Sequence, residues 1–129
     1  MDRRDTKREA GRKWSIDHHR LVAYEVALEA LVAGEALVKR VPRGNGTLVD
    51  QFRRALQGAF TQTTEASART GADRLARFRI ARAEAGEAAG IAEAFGRMRL
   101  AAAADVEAVL ALLWRLCALL YRLARGGTQ

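Results

Sequence analysis

The segment from Val106 to Arg125 is apolar around most of its circumference, and this constrains the fold more than any other feature of the sequence. At about 100° per residue, its leucines together with Val106, Val109, Cys117, Tyr121 and Trp114 fill an arc of about 220°, whereas a surface helix shows a stripe of about 100° or a little more. Two seams with heptad spacing run along it. One comprises Val106, Leu110, Leu113, Cys117, Leu120 and Ala124; the other, on an adjacent face, Leu112, Leu116, Leu119 and Leu123. The first is expected to pack inside the chain's own fold. The second is expected to meet a partner subunit.

With 129 residues the chain fits one domain. Half of it is hydrophobic, carried by Ala and Leu rather than by β-branched residues, and a single Pro is present, which predicts an all-α protein. Residues 1–13 mix acids and bases without apolar periodicity and are read as a flexible basic N-terminal arm. Residues 14–125 are read as the bundle and 126–129 as a C-terminal tail.

Ser15 is placed as the N-cap of a first helix reaching about Val41, with Leu21, Tyr24, Leu28, Leu31, Val38 and Val41 at helical intervals. Pro42, Gly44 and Gly46 make a loop. Thr47 with Asp50 resembles a capping box opening a second helix, whose inward stripe is Leu48, Phe52, Leu56, Ala59, Phe60 and Thr63, up to about Arg69. Thr70 and Gly71 break it, and Asp73 begins a third helix to about Phe95 with an alanine-rich face. Gly96 to Leu100 turns the chain into the fourth, which Gly126 and Gly127 end. Four helices with short connections predict an antiparallel up-down-up-down four-helix bundle, assembling through the second seam into a ring-like homo-oligomer.

The formal net charge is +7, nearly all of the excess arginine, which suits a polyanion whose counterions are released on binding. Three basic sets are candidates for nucleic-acid contact. Arg3, Arg4, Lys7, Arg8, Arg12 and Lys13 lie on the arm; Arg115, Arg122 and Arg125 follow the polar stripe of the last helix; Arg74, Arg77, Arg79 and Arg82 crowd the start of the third, and Arg77 and Arg79 are carried forward from it. Gln51, Arg54, Glu65 and Glu87 are read as a buried polar network fixing helix register. Trp14 and Trp114 are read as packing residues rather than platforms for bases.

Other chemistry finds little footing. His18 and His19 are adjacent and point about 100° apart on a helix, so they do not chelate as an i, i+4 pair does. Glu84 and Glu87 have no phosphate cradle or nucleophile beside them. The expectation is a protein without catalytic residues, metal or cofactor. Cys117, the one cysteine, is read as a small core residue, and the absence of an apolar N-terminal run or an uninterrupted span as a sign of a cytoplasmic protein without a membrane partner.

Taken in order, Gln51-Phe52-Arg53-Arg54-Ala55, Glu65, Arg77-Phe78-Arg79-Ile80-Ala81 and Glu87, with Pro42 in the first loop, resemble the four-helix-bundle proteins encoded in intervening sequences of bacterial 23S ribosomal RNA genes. The resemblance covers roughly Leu21 to Leu123. It implies an up-down bundle assembled as a homopentamer. A related branch is the accessory variability determinant of diversity-generating retroelements, a basic pentamer that engages nucleic acid and a reverse transcriptase. In place of that family's Ser-Ile-Pro-x-Asn-x-Ala-Glu-Gly stretch this chain has Gly58 to Ala66, without the Pro or the Gly after Glu65.

The function expected from these readings is that of a non-enzymatic, homopentameric bundle that binds RNA or DNA and serves as accessory to a reverse transcriptase or as an RNA-associated factor. The alternative is a structural scaffold that recruits a protein partner without binding nucleic acid.

Overall fold

The computed structural model describes His18 and residues 21–128. Four helices follow one another: α1 (Val22–Val38), α2 (Gly46–Ser67), α3 (Gly71–Arg97) and α4 (Ala103–Ala124). Each packs against the two beside it, α1 and α3 both lying between α2 and α4, and the backbones of the diagonal pairs do not approach closely. Arg40, just past the end of α1, pairs with Asp105 in the first turn of α4 at 2.7 Å, and Phe52 near the start of α2 meets Phe95 near the end of α3 edge to face at 5.3 Å. Neighbours therefore run antiparallel. Among the described residues there is no strand, and no helix is long and apolar enough to cross a membrane.

The core accounts for the wide apolar arc of α4. Leu113, Leu116 and Leu120 are fully buried, and Leu119 and Leu123 nearly so. Leu112 and Cys117 are half-buried against the same core. Of the four residues assigned to an intersubunit seam, Leu116, Leu119 and Leu123 are thus consumed inside the chain and Leu112 sits at the edge. The reason is geometric. A helix at the corner of a four-helix square faces neighbours on two sides, so it requires a broader arc than the single-sided surface helix used as the yardstick.

The inward face of α1 is rotated from the one its large residues suggest, with Leu21 and Val38 buried as expected and Tyr24, Leu31 and Val41 packed at its edge. Ala23, Val26, Ala27, Ala30, Gly34 and Leu37 are buried, while Leu28 and Leu31 are only half-buried. Small residues face the core because α2 comes close: a Cβ on Gly34 would run into the Leu56 side chain and crowd Phe52. Alanines do the same for α3, where Ala81, Ala85, Ala88 and Ala92 are completely buried beside Phe78 and Phe95. The single buried polar side chain among the described residues, Thr63, donates its hydroxyl to the Ala59 carbonyl at 2.7 Å, so the bond is closed within α2. No break interrupts α2 between Gly58 and Ala66.

The helix ends show two further departures. Helix α2 begins at Gly46 with Asn45 in the N-cap position, and Asn45 spends its side-chain amide on the Pro42 carbonyl (2.9 Å), closing the loop instead of capping with Thr47. Gly96 lies within α3 against Val106, and the turn comes two residues later. There Arg99 adopts φ 58° while Leu100 N–H donates to Phe95 (2.8 Å) and Arg99 N–H to Gly96 (3.1 Å), the paired bonds of a Schellman end. Gly126 and Gly127 close α4 the same way, donating to Leu123 and Arg122. Ser15 lies outside the described residues. Gln51, Arg54, Glu65 and Glu87 are all exposed, so they form no buried network; each points outward on its helix, and Glu65 pairs locally with Arg69. The interhelical tie on that side is Arg53, whose guanidinium donates to both oxygens of Glu35 and holds that carboxyl below the usual carboxylate range.

Two outcomes follow from this packing. Gly86→Ala and Gly90→Ala, where an added methyl meets nothing, raise stability by about 0.5–1 kcal/mol each through helix propensity. Gly34→Ala instead lowers it, because overpacking a filled site costs about 1–3 kcal/mol; urea midpoints separate the two classes. Leu116→Glu places a carboxylate in the core and abolishes the cooperative transition, whereas an intersubunit position would leave a folded chain; far-UV circular dichroism on melting distinguishes them.

Candidate nucleic-acid interface

Arginines are numerous, so the first question is which are already engaged. Arg40 and Arg53 are tied to Asp105 and Glu35. Arg69 reaches both Glu65 (3.2 Å) and Asp73 (3.6 Å). Arg77 lies 3.4 Å from Asp73 through Nε, too poorly aligned for a hydrogen bond, and donates through a terminal nitrogen to Gln62 at 3.3 Å. Arg74 donates to the carbonyls of Ala66 and Ser67 at the end of α2 and rests over Phe78. These groups hold helices together and are not available to a ligand without a loss elsewhere.

A second group is arranged differently. Arg79 and Arg82, three residues apart on α3, share a face one turn long. The antiparallel end of α4 brings Tyr121, Arg122 and Arg125 against it. The Arg82 guanidinium carbon sits 4.9 Å from the Tyr121 ring centroid and that of Arg125 5.2 Å, both within cation–π range. Arg125 also donates to the Tyr121 hydroxyl at 2.9 Å. Among the described residues, none of Arg79, Arg82, Arg122 and Arg125 has an acidic partner within salt-bridge distance.

Two clefts meet at Tyr121. One, of about 340 Å³, is lined by Arg79, Arg82, Tyr121, Ala124 and Arg125; the other, of about 480 Å³, by Arg82, Cys117, Ala118, Tyr121 and Arg122. No carboxylate lines either. The floor is apolar and the walls are cationic. Burial pushes the Cys117 thiol up from its ordinary range despite the charge of Arg82, so at neutral pH it is an uncharged part of that floor. Arg122 and Arg125 stand at the carbonyl end of α4, where the helix dipole offsets some of their mutual repulsion.

Of the sequence candidates, the fold brings Arg79, Arg122 and Arg125 together. Arg115 is exposed on the same stripe as Arg122, two turns earlier, or about 10 Å along the axis. Arg77 is drawn into the Asp73 and Gln62 contacts instead. Arg3, Arg4, Lys7, Arg8, Arg12 and Lys13 lie outside the described residues. Two members of the cluster were not carried forward by sequence reasoning: Arg82, named in a set of four arginines that do not all share a face, and Tyr121, counted as part of the apolar arc. The i, i+4 spacing of Tyr121 and Arg125 was the available signal.

A second surface lies farther along the α3–α4 junction. Trp114 is 56% exposed and borders a groove of about 400 Å³ lined also by Gly96, Val106 and Leu110, with Glu93, Arg97 and Glu107 around it. The chain matches no protein-family model and no curated relative.

Proposed function

We propose that this chain is a non-enzymatic nucleic-acid-binding bundle that acts as a homo-oligomer, with the polyanion held at the α3–α4 arginine patch. The observation that carries the reading is the convergence of Arg79, Arg82, Arg122 and Arg125 on two adjoining clefts that no carboxylate lines. Like charges crowded at a surface are relieved by an anion, and guanidinium groups take phosphate oxygens in a bidentate fashion. With Arg115 the cationic track extends about 15 Å along α4, the rise of about four nucleotides of a B-form strand. Phosphate contacts of this kind carry no base sequence, so binding is sequence-tolerant.

Self-association is proposed through the Trp114 groove, since the leucine seam is occupied within the chain. Five copies is the number that the resemblance to the bundle proteins of 23S intervening sequences implies. A ring of copies multiplies the arginine patch by symmetry and strengthens its field.

Binding of a labelled oligonucleotide is expected to fall steeply with salt, the logarithmic slope losing about 0.7–0.9 for each phosphate contact removed. Arg79→Gln and Arg122→Gln each flatten the slope by about that amount, while Arg43→Gln, equal in charge but in the α1–α2 loop, leaves it unchanged. No binding at low salt, or equal effects of all three, contradicts the reading. Light scattering tests assembly: the wild type runs as a multiple of 14.1 kDa and Trp114→Glu as a folded 14.1 kDa particle. A wild type of 14.1 kDa at micromolar concentration overturns the homo-oligomer.

A further inference from the structure

An anion-binding patch has no use for an aromatic ring, and phosphate gains nothing from an apolar floor. The patch contains both. Tyr121 remains 43% exposed although two guanidiniums lie over its ring, and the larger cleft beside it is floored by Cys117 and Ala118. The hydrogen bond from Arg125 to its hydroxyl favours one placement of the ring, which lessens the side-chain freedom lost when something packs on it. From this juxtaposition we infer that the site takes a single strand, an unpaired nucleobase lying against Tyr121 over the apolar floor while Arg79 and Arg122 hold the flanking phosphates; the inference rests on the nucleic-acid reading above.

The physical choice between strand types is clear-cut. In a duplex the base faces are stacked on one another and only edges and backbone are presented, so a ring in a cleft has nothing to receive. In a single strand each base offers a free face, and stacking on an aromatic side chain is sequence-tolerant because every base has one. Arg82 and Arg125 lie over the ring, so the entering base displaces a guanidinium, which then stacks on the base or neutralises the adjacent phosphate. The same chemistry describes a free nucleotide, but one nucleotide engages only part of a track that continues to Arg115, and it binds correspondingly more weakly.

The test compares fluorescence anisotropy titrations of labelled oligo-dT, of a duplex with the same number of phosphates, and of a labelled heparin fragment that has charge and no bases; unlabelled thymidine monophosphate is added as competitor. The wild type is expected to prefer oligo-dT to the duplex, with the monophosphate competing only at far higher concentration. Tyr121→Leu keeps the apolar bulk and removes the ring. It is expected to weaken oligo-dT binding roughly tenfold while heparin binding stays the same, and Tyr121→Phe is expected to restore most of the loss. Circular dichroism confirms that both variants are folded. Duplex binding as tight as oligo-dT, or a Tyr121→Leu variant that leaves oligo-dT unaffected or weakens heparin equally, overturns the base platform. A monophosphate that competes as well as the strand overturns the choice of a strand over a free nucleotide. If heparin and duplex still bind and depend on Arg122, the polyanion site stands without the platform; if none of the ligands binds, the nucleic-acid reading itself fails.

Discussion

Burial of α4 on two sides is the interaction on which the rest of the structure depends. Its leucines face α1 across one flank and α3 across the other, leaving outward only a narrow stripe of alanines, arginines, Glu107 and the two aromatic residues Trp114 and Tyr121. The arginine cluster and the Trp114 groove both lie on or beside that stripe. The patch around Tyr121 exists because α3 is pressed against α4 with small residues between them, bringing Arg79 and Arg82 to the edge of the same cleft. A looser α3–α4 contact would separate the four guanidiniums and lose the ring between them.

Much of the fold was legible because helical periodicity and punctuation agree. The inward stripes of α2 and α3 are buried or half-buried much as their spacing predicts, and the glycine end of α4 closes as expected. What was not legible was orientation relative to neighbours. On α1 the large residues were taken as the inner face, and Leu21 and Val38 are indeed buried, but a close partner rotates that face toward the small residues, and the presence of Phe52 and Leu56 across from Gly34 cannot be read from α1 alone. The second seam of α4 failed for the same reason: counting apolar degrees on one helix does not say how many helices surround it.

The site was half legible. Arginine excess and the α4 stripe pointed to the region where the arginines cluster, and three of the residues named from them converge there. Which arginines are free is a question of tertiary pairing, however. Arg77 and Arg79 are two residues apart, yet the first is held by Asp73 and Gln62 and the second lines the open cleft. Tyr121 was hidden by its own apolar character, since a tyrosine at the border of a leucine-rich arc reads as core until the arginines that reach it are known.

The central claim is that a particular set of guanidiniums, clustered without an acidic partner, meets the ligand. The most direct measurement follows arginine Nε–Hε resonances in ¹⁵N-labelled protein as a short single-stranded oligonucleotide is added. The account predicts that the signals of Arg79, Arg82, Arg122 and Arg125 shift together and saturate, while those of Arg40, Arg53 and Arg69 keep their positions. Shifts spread evenly over all arginines, or confined to the paired ones, would contradict it.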